Sequence, residues 1–242
     1  MKNSFKLKNK IIAYDPTKWW GDDFDVRFYL ISKVENLRTK RVLDIGGGIG
    51  IISSELNRSN DRINLDISLK DLKICTKKMD KEIQNICANM TKIPFRSNSF
   101  DCVISASVLQ YAKDYDIKNK KVVKNIINKY PSVEESLSEM HRVLKPGGAL
   151  YLVTPNNSYY QTYMLSYSEL KKSINNHFSN YTLSFYNTFS RLSKKYRKLN
   201  FANIISKILS KIVKEEKLIK VLIKKDMGND QNSVSFYVEA IK

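Results

Sequence analysis

The 242-residue chain contains only three cysteines and two histidines. Cys75, Cys87 and Cys102 fall in helix-like or strand-like stretches at spacings unlike any metal site, and an odd number does not make a disulfide framework. They read as reduced core residues, and no metal is implied. With only His141 and His177 available, imidazole candidates for proton transfer are few. No apolar run approaches the roughly 18 to 20 residues needed to cross a bilayer, and Met1-Lys2-Asn3-Ser4-Phe5-Lys6 continues without an apolar signal core. A cytoplasmic location is therefore expected. Internal repeats are absent as well.

Acidic residues are also in short supply, 24 against 42 Lys and Arg, for a net charge of +18. Residues 159–242 hold 15 Lys/Arg and 6 Asp/Glu, so about a third of the chain carries half of the excess. Such a balance favours anionic partners, including nucleic acid, acidic lipid or phosphorylated substrates. A genome biased toward Lys, Asn and Ile codons gives the same composition. The hydrophobic share of 42% and charged share of 27% are those of a folded globular protein. Its length fits one α/β domain, with or without a cap.

From Arg41 onward, strand-like and helix-like patterns alternate. Strands are read at Val42–Ile45, Ile63–Leu65, Ile83–Ala88, Phe100–Ser105 and Ala149–Thr154, the last after the Pro146-Gly147-Gly148 breaker. Helices are read at Ile49–Leu56, Leu69–Met79 and Val133–Leu144, and Ser166 or Ser168 suits the cap of another that runs to about Asn176. Tyr181–Tyr186 and Val234–Ile241 complete seven strands. This order predicts a Rossmann-like three-layer α/β sandwich with a mostly parallel sheet and an antiparallel last strand. Residues 1–38, with Tyr14, Trp19 and Trp20, precede the domain as either a lid or ordinary packing, and 39–242 form the domain itself. Two segments interrupt the alternation, 113–131 and 187–229. In the second, Ile204, Ile205, Ile208, Leu209, Ile212 and Val213 recur at helical steps while Lys207, Lys211 and Lys214 face elsewhere.

The motif that carries chemistry is Val42-Leu43-Asp44-Ile45-Gly46-Gly47-Gly48-Ile49-Gly50, an apolar strand, an acid and then alternate glycines. Glycine there permits a sharp turn and close approach of a ligand. A dinucleotide fingerprint needs a glycine three residues after Gly48, where this chain has Ile51. Asp44 would also repel a pyrophosphate.

Asp44-Ile45-Gly46-Gly47-Gly48-Ile49-Gly50 resembles the D-x-G-x-G-x-G loop of the class I S-adenosylmethionine-dependent methyltransferases, small-molecule and quinone-biosynthesis types included. Their cofactor carries a sulfonium and an ammonium and no phosphate. Ala88–Phe95 with Ser99-Phe100-Asp101, Val103–Tyr111, and Arg142–Gly148 are similar to later segments of that family, so the resemblance spans about residues 40–156. It implies S-adenosyl-L-methionine as cofactor, held by Asp44, Gly46, Gly48, Gly50, Asp66, Asn89, Met90 and Ser105. Asp66 would take the ribose hydroxyls. Asn89 stands where the family usually has an adenine-binding Asp, keeping an acceptor oxygen without the charge.

Methyl transfer is an in-line displacement that asks mainly for alignment and exclusion of water. Tyr111, after the fourth strand, is either a proton-transfer residue or a pocket wall; His177 is a further candidate, and His141 reads as helix surface. Connections after strand four and between strands six and seven lie at the ligand-bearing edge, so 113–131 and 187–229 would cap the acceptor side. A basic amphipathic cap suits a large, anionic or membrane-associated acceptor such as a lipid-linked sugar or a quinone precursor, with peripheral contact to an anionic membrane, although the same stripe could simply pack on the domain. The expected activity is O-methylation of a small-molecule, glycan or lipid-linked acceptor. An RNA methyltransferase is the alternative that charge favours, against which Ser105-Ala106-Ser107-Val108 lacks an Asn/Asp-Pro-Pro-aromatic run. A non-catalytic cofactor-binding partner protein is the third reading.

Overall fold

A computed structural model of the chain describes residues 30–112, 115–116, 121–122, 131–156, 164–186, 227–228 and 235–242. The expected lid residues Tyr14, Trp19 and Trp20, and nearly all of 113–131 and 187–229, lie outside them.

The strands are β1 (Arg41–Ile45), β2 (Asp61–Asp66), β3 (Gln84–Cys87), β4 (Phe100–Ala106), the two-residue β5 (Tyr115–Asp116) and β6 (Lys121–Val122), β7 (Leu144–Pro155), β8 (Asn180–Tyr186), the two-residue β9 (Met227–Gly228) and β10 (Ser235–Ile241). Helices are α1 (Ile51–Glu55), α2 (Leu69–Lys78), α3 (Pro131–Val143) and α4 (Tyr167–His177). The main sheet runs β3-β2-β1-β4-β7-β10-β8-β9, and β5 pairs only with β6. The first five of these strands are parallel, and β10 is antiparallel to both β7 and β8. Seven full strands and an antiparallel last one match the expectation, and β9 adds a short eighth at the β8 edge.

Alternate strand residues face opposite layers. Leu43, Ile45, Val103, Leu150 and Leu152 join Leu137, Met140, Leu170 and Ile174 of α3 and α4 in one apolar cluster. Val42, Cys102, Ile104 and Tyr237 face the other way, against Leu30, Val34, Ile52 and Leu56. The parallel strands read as nearly continuous apolar runs because both faces are covered. Arg62, buried within β2, is paired with Asp80 at 3.0 Å and Glu82 at 3.2 Å, as a buried cation requires.

Local differences from the expected elements have physical causes. The first helix begins only at Ile51, because Gly50 is held left-handed at φ 79° in its N-cap position. Pro146-Gly147-Gly148 does not break the strand: β7 begins at Leu144, and these residues form an irregularity opposite Asp101, with Gly147 at φ 76°. Ser166, rather than Ser168, caps α4, its side chain and that of Glu169 closing a capping box. Cys75 and Cys102 are buried as expected, whereas Cys87 is exposed at the end of β3. His141, expected on the helix surface, is half-buried with its ring edge-on to Phe178 at 5.1 Å. No helix among the described residues is long and apolar enough to cross a membrane.

Candidate active site

The site is built where β1 and β2 end side by side. Ile45 pairs with Leu65 at the last rung of that ladder, and the Gly46 N–H still donates to the Leu65 carbonyl at 2.7 Å. Beyond it, Gly46, Gly48 and Gly50 all take positive φ, 69°, 54° and 79°. A side chain at 46 would be driven into Val108, and one at 50 into the Cys75 thiol. At 48 a Cβ would meet nothing among the described residues nearer than Asp66 Oδ2, 3.9 Å away. The turn thus presses against the protein at Gly46 and Gly50 and opens outward at Gly48.

Asp44 is buried under this turn, where Ser53 Oγ of α1 donates to its Oδ2 at 2.7 Å. Asp66, half-buried, accepts from the Gly48 N–H through Oδ2 at 2.9 Å and from the Ser68 N–H through Oδ1 at 2.8 Å. Each carboxylate oxygen has further lone pairs to offer a ligand. The next residue, Ile67, is 73% exposed. Its place past the end of the strand gives it no hydrophobic pattern that would mark it in the sequence, and a large aliphatic side chain standing in water beside Asp66 offers an apolar face at the site. Asn89 lies beyond β3; its Oδ1 accepts from the Thr91 N–H at 3.0 Å and it is exposed. Met90 packs against the core from one side.

Ser105 pairs with Ile45 across β1 and β4 and is fully buried, its hydroxyl without a hydrogen-bond partner among the described residues. After β4 the chain makes a tight turn. Ser107 sits at φ 54° and Leu109–Ala112 form one 3-10 turn, in which Tyr111 is 52% exposed. Beneath it Gln110 is buried and donates to the Ser107 carbonyl at 2.7 Å. Asp44, Gly46, Gly48, Gly50, Asp66, Ser105 and Tyr111 therefore lie around the carboxyl ends of three adjacent strands, where open α/β sheets bind ligands.

His177 does not join them. It ends α4, with Nε2 2.9 Å from Glu134 Oε2, and its neighbour Phe178 packs on His141. Burial, with the nearby charges of Lys242 and His177, holds the His141 imidazole below its ordinary value, and Lys242 is tied by its backbone to Gly147 and Gly148, at the end of the sheet opposite the glycine turn. Its chemistry is that of a helix-to-helix tie. Burial works to raise the Glu134 carboxyl, but hydrogen bonds from Ser173, His177 and Asn176 outweigh it and hold the group below its ordinary value. Asp101 is likewise held low, against burial, by the Arg41 N–H and Lys145. Because the folded values lie below the unfolded ones, this stabilisation is complete above the ordinary carboxylate range, about 4, and is lost as pH falls through the folded values. Calorimetry should show a melting temperature that falls below about pH 4 as these carboxylates are protonated, after a shallower decline that starts near pH 6.5, because the folded protein protonates His141 less readily than the unfolded chain does.

A family model described as a methyltransferase domain matches residues 43–152. Similar curated proteins include an uncharacterized protein of Methanocaldococcus jannaschii, 32% identical over 127 residues that cover 52% of this chain and 46% of that one. Another is a ubiquinone/menaquinone biosynthesis C-methyltransferase of Wigglesworthia glossinidia brevipalpis, 32% identical over 158 residues, or 62% of this chain and 54% of that one. The chain spans about half the length of these curated relatives. Among solved structures, a TehB-like S-adenosylmethionine-dependent methyltransferase from Corynebacterium glutamicum aligns with a TM-score of 0.59 at 13% identity, covering 99% of this chain and all of that one. A Haemonchus contortus phosphoethanolamine N-methyltransferase bound to phosphomonomethylethanolamine and S-adenosylhomocysteine aligns with a TM-score of 0.56 at 18% identity, covering 90% of this chain and 53% of that one. At such identities the likeness is one of fold.

Proposed function

The chain belongs to the class I S-adenosylmethionine-dependent methyltransferase family, and from that premise we propose that it transfers a methyl group to an oxygen of a small-molecule, glycan or lipid-linked acceptor. The observation that carries the cofactor half is the glycine turn with one carboxylate beneath it and one beside it. Two acids, no Lys or Arg in the turn, and an opening at Gly48 fit a ligand with cationic groups and ribose hydroxyls and do not fit a pyrophosphate. When bound there, S-adenosylmethionine supplies a methyl group made electrophilic by its sulfonium.

The protein's own part is binding and alignment. Gly46, Gly48 and Gly50 would face the methionine portion, with Asp44 lending negative potential from below. Asp66 would accept from the ribose hydroxyls and Ile67 would cover the base, with Asn89 and Met90 at its rim. Ser105 would back the cofactor beside Ile45, and Tyr111 would stand on the acceptor side, where an acceptor hydroxyl must lose its proton as it attacks. Tyr111→Phe is expected to lower kcat at least tenfold while leaving cofactor affinity unchanged; an unchanged kcat with a raised acceptor KM in steady-state assays would instead assign it to the pocket wall.

The acceptor class is supported by three facts. The chain leaves the sheet after Ala106 and again after Tyr186, at the end of the sheet that holds the glycine turn. The second of these segments is rich in lysine and amphipathic in sequence, which suits an anionic or membrane-borne acceptor. Several similar curated proteins bear the names of quinone-biosynthesis methyltransferases, which speaks for a quinone-like acceptor, although the C-methyltransferase names among them do not speak for oxygen as the atom methylated. The net charge of +18 is the observation that favours RNA instead. Incubating the protein with radiolabelled S-adenosylmethionine and extracted lipid, glycan and RNA pools tests all of this. Label in the lipid or glycan pool is the expected result; label confined to RNA overturns the acceptor class, and cofactor binding with no label in any pool points to a non-catalytic role.

A further inference from the structure

Within β2, Asn64 lies two residues before Asp66 and therefore on the same face of the strand. It is fully buried. Its Nδ2 donates to the Gly48 carbonyl at 3.0 Å and to Asn85 Oδ1 at 2.9 Å. A backbone carbonyl only accepts, so the amide orientation is fixed by that contact. Asn85 is steadied in turn, donating to Thr76 Oγ1 at 3.0 Å on α2. Gly48 is thereby held at both of its polar groups by one strand, its carbonyl by Asn64 and its N–H by Asp66.

The other end of the Asn64 amide explains the middle glycine. A Cβ on residue 47 would overlap Asn64 Oδ1 and come within 2.6 Å of Asp44 Oδ2. Gly47, unlike Gly46, Gly48 and Gly50, has no positive φ to account for it; the space its side chain would need is taken by these two oxygens. Asn64 Oδ1 has no hydrogen-bond partner among the described residues, so an oxygen with nothing there to accept is kept in the interior. An aliphatic residue would avoid that cost but would let go of the Gly48 carbonyl.

We propose that Asn64 is a positioning residue for cofactor binding, acting through the Gly48 peptide to set the methionine-facing part of the glycine turn. The inference rests on the methyltransferase reading above. Asp66 holds the ribose side of the same peptide without help from Asn64, so losing Asn64 should damage recognition of the methionine portion and spare that of the nucleoside. A residue that merely stabilised the fold would weaken both alike.

The test compares S-adenosylhomocysteine with 5′-methylthioadenosine, which keeps the adenosine and thioether but lacks the amino-acid portion, by titration calorimetry on the full chain. Asn64→Ala is expected to weaken S-adenosylhomocysteine by about tenfold and methylthioadenosine by less than about threefold, the loss of one buried hydrogen bond read selectively. Asn85→Ala, which withdraws support from the amide without altering the turn, is expected to give the same selectivity at smaller size and serves if Asn64→Ala does not fold. Equal losses for the two ligands, or none, in a folded variant would overturn the proposal. Failure of the unaltered protein to bind S-adenosylhomocysteine at all is a separate outcome, and overturns the methyltransferase reading itself.

Discussion

Gly46→Ala is expected to lower the melting temperature by roughly 5 to 15 °C, and Gly48→Ala by only a few degrees while abolishing most cofactor binding. Both glycines are left-handed, at φ 69° and 54°, so both substitutions carry backbone strain of about 1 kcal/mol. They differ in what the new methyl meets. At 46 it would overlap Val108 Cγ2 and lie within 2.6 and 2.8 Å of Val108 Cβ and Cγ1. A whole β-branched side chain would have to move, and Val108 is fastened by its place between β4 and the following 3-10 turn. Overpacking of that kind adds about 1 to 3 kcal/mol. At 48 the methyl enters open space on the ligand side. Thermal melts and calorimetric titration with S-adenosylhomocysteine separate the two effects. Val108→Ala should partly restore the stability of Gly46→Ala, because it removes two of the three overlapped carbons. If Gly48→Ala bound the cofactor normally, the ligand would not lie over the turn.

Asp66→Ala should weaken S-adenosylhomocysteine by about tenfold to a hundredfold, and here the loss should extend to methylthioadenosine. Two ribose hydrogen bonds to a carboxylate are removed, each worth about 0.5 to 1.5 kcal/mol or somewhat more for a charged acceptor. The Gly48 and Ser68 N–H groups lose their acceptor at the same time. Asp66→Asn keeps one oxygen for the Gly48 N–H, so it should fall between the unaltered protein and the alanine variant. Unchanged affinity in both variants would remove Asp66 from the site.

The sheet was legible because its strands are doubly covered: apolar runs such as Val42–Ile45 and Phe100–Ser105 have no other way to be buried. Asp44 and Asp66 were legible for a different reason, since an acid at the end of an apolar strand marks a carboxyl edge. Asn64 was not, because a polar residue inside the Ile63–Leu65 strand has no meaning until the Gly48 carbonyl is seen 3.0 Å away. Ile67 escaped notice because an isolated aliphatic residue says nothing about exposure. His177 misled in the opposite sense: it is one of two imidazoles, yet its partner Glu134 is 43 positions away in sequence and no local pattern announces such a pair. The exposed Cys87 and half-buried His141 show the same limit, since burial at the rim of a sheet depends on what packs above it.

The position of β10 between β7 and β8 has a consequence for how the molecule assembles. Pairings among β1 to β4 span 20 to 60 positions, as from Leu43 to Ile63 and to Val103, whereas β10 pairs Ile241 with Ala149, 92 positions away. Closing such distant contacts costs chain entropy before any contact energy returns, so they form late. The β3-β2-β1-β4 half, which carries the glycine turn, is therefore expected to gain protection from hydrogen exchange during refolding before the β7-β10 seam does.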